Sequence, residues 1–103
     1  MKANELTLDQ PVAGNIGWTF LTNHTHILVC LSRDESTTVR NLALQVGITE
    51  RSVQRILADL EESGVVTRIR EGRRNRYEVN DAFQLRHPLE ASHTLKELLR
   101  AVS

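Results

Sequence analysis

Four side chains in one short run have the chemistry to read nucleic acid: Arg51, Ser52, Gln54 and Arg55. A guanidinium can bind the N7 and O6 acceptors of guanine with two parallel hydrogen bonds, and a glutamine amide can do the same for adenine. A serine hydroxyl can donate to base edges or to phosphates. A second run is a cluster of one charge: Arg68, Arg70, Arg73, Arg74 and Arg76, with Glu71 the one acid among them. That leaves +4 within nine residues of a chain whose thirteen basic and thirteen acidic residues cancel overall, so the remainder carries −4. Zero net charge by itself argues against a nucleic-acid binder, but such local asymmetry is what a one-sided anion-binding surface needs.

Other chemistries are poorly served. Cys30 is the single cysteine, so an internal disulfide and a cysteine-rich zinc site are excluded. His87 with Glu90, and His93 with Glu97, could meet across a dimer, which is the basis of a metal-responsive alternative. Without a Cys-x-Cys pair the ligand set is weak, and no metal site is assigned. His24 reads as a partly buried, hydrogen-bonded residue and Cys30 as a small buried hydrophobe. A Gly-rich phosphate loop, a nucleophile elbow and paired carboxylates in an apolar setting are all missing, so no catalytic residue, no cofactor and no enzymatic activity are expected.

The elements that must position the arginines follow from hydrophobic spacing. Phe20, Leu21, Ile27, Leu28 and Leu31 recur at helical intervals and predict a first helix over 18–32. Thr38 has the chemistry of an N-cap for a helix over 39–46, in which Val39, Leu42, Ala43 and Val46 form one face and Gly47 ends the run. Thr49 caps a further helix reaching to about Ser63, with Val53, Ile56, Leu57 and Leu60 on its buried face. The opposite side then carries Arg51, Arg55, Ala58 and Glu62, with Ser52 and Asp59 on one flank and Gln54 on the other. Two capped helices joined by a Gly-containing turn form the helix-turn-helix pattern.

Past Gly64 the period changes from helical to alternating. Val65, Thr67 and Ile69 point one way and Val66, Arg68 and Arg70 the other. Tyr77 and Val79 predict a second short strand, with a loop over 71–75 between them. This hairpin is the candidate wing, and its arginines suit the phosphate backbone or the minor groove. After Pro88 a last amphipathic helix carries Leu95, Leu98, Leu99 and Val102 on one stripe. The fold class is therefore mainly α with a small β-hairpin, a winged helix-turn-helix.

A chain of 103 residues supports one compact domain, and its longest apolar run, Ile27 to Leu31, is far too short to cross a bilayer. Residues 1–16 read as an N-terminal arm, 17–87 as the winged helix-turn-helix and 88–103 as a C-terminal helix suited to dimerisation. With no signal-peptide layout at the N-terminus, the cytoplasm is the expected location.

Val39 to Val79, through Leu42-Ala43, Gly47-Ile48-Thr49, Gly64-Val65-Val66, Gly72-Arg73-Arg74 and Tyr77, resembles the winged-helix core of MarR- and ArsR-like bacterial transcriptional regulators. The lead-in Gly17-Trp18-Thr19-Phe20-Leu21-Thr22-Asn23-His24 is similar to that of short MarR-like proteins. The resemblance implies a dimeric repressor or activator of double-stranded DNA, with the 49–63 helix in the major groove and the hairpin beside it. The long flanking helices of full-length MarR proteins are missing, so neither their ligand pocket nor their dimer form is assumed for this chain, and any small-molecule effector is unknown. On this reading Arg51, Ser52, Gln54 and Arg55 meet bases, Thr49 and Arg40 meet phosphates, and Arg70, Arg73, Arg74 and Arg76 form the wing contact. A homodimer would use Trp18, Phe20, Leu95, Leu98, Leu99 and Val102. The alternative in another class is a winged helix that binds protein instead of DNA.

Overall fold

The computed structural model describes residues 17–103; the expected arm over 1–16 lies outside them. Three helices come first: α1 (Asn23–Arg33), α2 (Val39–Val46) and α3 (Glu50–Glu62). A two-stranded antiparallel sheet of β1 (Val66–Glu71) and β2 (Arg74–Val79) follows, and α4 (Leu95–Val102) closes the chain. The architecture is a winged helix-turn-helix of the α+β class.

The helix boundaries follow from local chemistry. The Thr38 side chain accepts from the Asn41 amide and that of Thr49 accepts from the Ser52 amide, so both middle helices start on the expected threonine caps. Gly47 sits at φ +85°, a left-handed conformation that a side chain would oppose, and this lets α2 stop and the chain turn into α3. At the far end of α3 the Val65 amide bonds to the Leu60 carbonyl and the Gly64 amide to that of Glu61, the pair of bonds of a Schellman turn.

The core lies where α1, α2, α3, the hairpin base and α4 meet. Ile27, Leu31, Leu42, Val53 and Val66 are its most enclosed side chains. The four apolar positions of α3 are all buried there. Paired residues of an antiparallel ladder share a face. Val66↔Val79 and Arg68↔Tyr77 therefore put the buried Val66 and Tyr77 on the core side, with Arg74 and Arg76 on the other.

Three expectations need correction. The first helix begins at Asn23 instead of Trp18. Trp18, Thr19 and Phe20 precede it in non-helical chain, where the Thr19 hydroxyl donates to the Leu21 carbonyl at 2.6 Å. Spacing alone carried the helix too far, because Thr22 and Asn23 favour a helix start over a helix interior. The loop expected over 71–75 is a two-residue turn, Gly72-Arg73. Gly72 has φ +63° and no non-glycine residue among the described residues has positive φ, as in a type II′ turn, and Glu71↔Arg74 adds opposite charges across the ladder.

The third correction concerns the C-terminal stripe. Leu95 and Leu99 are 2% and 4% exposed and belong to the domain's own core, so they are not free for a partner. Helix α4 is tied to α1 and the loop before it. The Leu95 amide bonds to the Phe83 carbonyl at 2.8 Å, the Leu85 amide to that of His93 at 3.0 Å, and Gln84 pairs with Thr94 in an isolated bridge. A capping box of Thr94 and Glu97 starts the helix.

Leu99→Ala is expected to lower stability by about 2–5 kcal/mol, the usual range for emptying a packed leucine site. Chemical denaturation should give the same loss at every protein concentration, since the packing is within one chain. The Thr94 backbone N–H, with His93 adding to it, holds the Glu97 carboxyl below the usual carboxylate range. A lowered folded-state value means that its contribution is full above the unfolded value and lost as pH falls through the folded one. Acidification should therefore speed amide exchange at the start of α4 before it affects α3.

Candidate nucleic-acid interface

The buried stripe of α3 turns Arg51, Gln54 and Arg55 outward, and all three are exposed. Arg40, in the first turn of α2, is exposed as well. Arg40, Arg51, Arg55 and Arg73 make no ion pair with the described residues. Asp59, an obvious partner for an exposed arginine on α3, is taken by His24, whose Nε2 lies 2.9 Å from its carboxylate. His24 is thus half-buried and hydrogen-bonded, as its place on the apolar side of α1 suggested.

The other two polar groups of the α3 N-terminus hold each other. The Thr49 hydroxyl donates to Ser52 Oγ at 3.0 Å while accepting from the Ser52 amide at 3.1 Å. The first turn of α3 is therefore fixed, and its remaining free N–H groups point outward with the positive end of the helix dipole.

A cleft of about 270 Å³ separates α3 from the hairpin and is lined by Gln54, Ala58 and Glu61 on one side and Arg68, Asn75 and Tyr77 on the other. Arg68 was counted in the basic run but, like Asn75, was given no contact from sequence. The alternation of β1 turned Arg68 towards α3, and its pairing with Tyr77 keeps it there, where Nε lies 3.4 Å from the Glu61 carboxylate. Asn75 faces the same cleft as the ladder partner of Arg70.

The wing arginines divide. Arg70 and Arg73 stand at the tip, Arg70 donating from Nε to the Gly72 carbonyl at 2.8 Å. Arg74 donates to the Ser36 carbonyl at 2.7 Å but keeps an exposed side chain. Arg76 is committed elsewhere. Its guanidinium lies 2.9 Å from Glu78, 3.1 Å from Glu71 and 3.1 Å from Glu35, and its side chain is 25% exposed. Hydrogen bonds to Glu78, Glu71 and Glu35, in that order of weight, hold its proton far above the usual arginine range. Against the expectation that Arg76 contacts DNA, its Nε and Nη1 donors already meet three carboxylates, so the side chain is drawn away from a phosphate contact. Glu35 gave no signal in the sequence, lying forty-one residues from its partner.

The electrostatic picture changes accordingly. Glu35 and Glu61 fold against a hairpin that already holds Glu71 and Glu78, so five arginines meet four carboxylates and one net positive charge remains. The positive surface is carried by Arg70, Arg73 and Arg74 on the hairpin and by Arg40, Arg51 and Arg55 on the helices.

The positions proposed for a dimer are split. Leu95 and Leu99 are internal, Leu98 is half-buried, and Val102 is 41% exposed. Trp18 and Phe20 are 68% and 92% exposed and pack edge to face with ring centroids 4.9 Å apart. Among the described residues no cluster of three or more His, Cys, Asp or Glu is placed to hold a metal ion, and no helix is long and apolar enough to cross a membrane. Of the histidine pairs, His93 lies 3.3 Å from Glu97, one helical turn away in sequence. Burial raises the Cys30 thiol above its usual range, with Arg33 opposing, in keeping with an unreactive residue packed against the core.

Residues 21–67 match the model of a family described as winged helix-turn-helix DNA-binding. The matched stretch takes in α1, α2, α3 and the first two residues of β1. It supports DNA binding as the role of this domain and double-stranded DNA as its partner. Comparison with curated proteins and with solved structures gave no match.

Proposed function

We propose that the chain is a non-catalytic transcriptional regulator that binds double-stranded DNA in a sequence-specific manner, α3 entering the major groove and the hairpin lying on the adjacent backbone or minor groove. The observation that carries this reading is the exposed side of α3, with Arg51, Gln54 and Arg55, next to a hairpin whose tip presents Arg70, Arg73 and Arg74. Arg51, Ser52, Gln54 and Arg55 read base edges. Thr49, through the α3 N-terminus, and Arg40 meet phosphates, and Arg70, Arg73 and Arg74 follow the backbone. Arg76 is left out of the contact set. The likeness to MarR- and ArsR-like regulators fits the same arrangement.

The regulator acts as a homodimer, since symmetric half-sites suit this motif. Support comes from the exposed Trp18 and Phe20 and from the apolar groove of about 380 Å³ that Phe20 and Leu98 line together. Leu95 and Leu99 take no part. The near-neutral hairpin gives the protein-binding alternative its one supporting observation, and the same experiment separates the two.

Selection from a pool of random duplexes at two salt concentrations tests the proposal. It expects enrichment of a palindromic site, with retention falling as salt rises; no retention even at low salt would move the assignment to a protein partner. On the enriched site, Arg55→Ala should cost about 1–3 kcal/mol, the worth of one bidentate base contact, and should relax discrimination at one position. Equal losses on specific and random duplexes would remove Arg55 from base reading. Arg73→Ala with Arg74→Ala should weaken all sequences alike and reduce the slope of log K against log salt by roughly 1.8, at ~0.9 per phosphate contact.

A further inference from the structure

A two-stranded ribbon is marginally stable in water on its own, so something must hold the hairpin at a defined angle to α3. Its base is packed through Val66, Tyr77 and Val79, but no hairpin residue between Thr67 and Arg76 belongs to the core or packs against it. Besides the 3.4 Å contact of Arg68 with Glu61 of α3, support for that outer part comes from the turn between α1 and α2. Asp34 Oδ1 accepts from the Ser36 amide at 3.0 Å, an Asx turn that fixes residues 34–36. Three bonds then run from β2 to this turn. The Tyr77 amide donates to the Glu35 carbonyl at 3.1 Å, Arg74 to the Ser36 carbonyl at 2.7 Å, and Arg76 Nη1 to the Glu35 carboxylate at 3.1 Å. The turn thus runs along the free edge of β2, and Arg76 fastens it to both hairpin strands through Glu71 and Glu78.

We propose that Arg76, locked to Glu35, is the positioning residue of the wing: it sets the hairpin angle that brings Arg70, Arg73 and Arg74 to the backbone beside the groove α3 enters. The inference rests on the DNA-binding reading and adds to it a residue that touches no DNA. A guanidinium suits the task because its planar fork offers several donors in fixed directions, whereas a lysine ammonium is a single point charge. The assignment has a consequence opposite in sign to simple electrostatics. Removing Glu35 takes a negative charge away from the interface, which alone would tighten binding to a polyanion; loss of the strut weakens it.

The test uses the full chain as wild type, Glu35→Ala, Arg76→Ala, Arg76→Lys and the Glu35→Ala, Arg76→Ala double variant. Each is titrated with one mixed-sequence duplex at low salt, and amide exchange is recorded on the free protein. Glu35→Ala leaves the backbone bond from Tyr77 in place, so the fold survives. Glu35→Ala and Arg76→Ala should each weaken binding roughly five-fold or more, and the double variant should be no worse than the weaker single one, as for residues that act as a unit. Arg76→Lys should fail to restore affinity. Ladder amides over 69–76 should exchange faster in each single variant while those of α3 keep their protection.

Glu35→Ala binding as tightly as wild type or tighter, with Arg76→Lys restoring affinity, would make Arg76 a phosphate contact and overturn the strut. Unchanged hairpin exchange in both alanine variants would overturn it without reference to DNA. A wild-type protein that binds no duplex would instead remove the DNA-binding reading, and the positioning role with it, even where exchange shows the strut to hold.

Discussion

Burial of Val53, Ile56, Leu57 and Leu60 fixes the rotation of α3 about its own axis, and the rest of the interface depends on that. Each such side chain gains about 1.5–3 kcal/mol by leaving water. Turning the helix by one residue, about 100°, would expose part of this stripe and push charged side chains towards the core, which adds the cost of burying charge. Arg51, Gln54 and Arg55 face outward because nothing else is compatible with the apolar spacing. The threonine cap of α3 and the left-handed Gly47 then set where the helix starts and how it leaves α2.

The second constraint is charge placement. Read linearly, the hairpin is a block of positive charge; folded, it is a lattice in which Glu35, Glu61, Glu71 and Glu78 engage Arg68 and Arg76. Packing five arginines on a small ribbon without these acids would bring self-repulsion. The acids absorb it where the hairpin meets the body and leave the tip positive. A balanced chain can thus present a positive surface without a positive total, and on the proposed reading a modest count of free arginines puts more weight on base contacts from α3 than on bulk attraction.

Much of this was legible in the sequence, for identifiable reasons. The starts of the two middle helices and the end of α2 were readable to the residue because threonine caps and Gly47 are local signals tied to hydrogen bonds within three or four residues. The start of α1 was misread because Phe20 and Leu21 happen to continue its apolar phase, although Phe20 is almost fully exposed. The tight turn was missed because a run of charged residues looks like a loop, yet Glu71 and Arg74 pair across it. Least visible was whatever depends on distant residues. Helical spacing showed that α4 has an apolar stripe but not that Leu95 and Leu99 bury it in their own domain. The Arg76–Glu35 contact joins segments that no local pattern relates.

The most direct test of the central claim, that α3 and the hairpin tip form one DNA-binding face, is to titrate isotopically labelled protein with a duplex and follow its amide resonances. The account predicts that shifts concentrate on residues 49–55 and 70–74, with α4 and the Trp18–Phe20 segment perturbed little or through dimerisation alone. Shifts centred on α4 and the Trp18–Phe20 segment, with α3 and the hairpin tip unmoved, would contradict it.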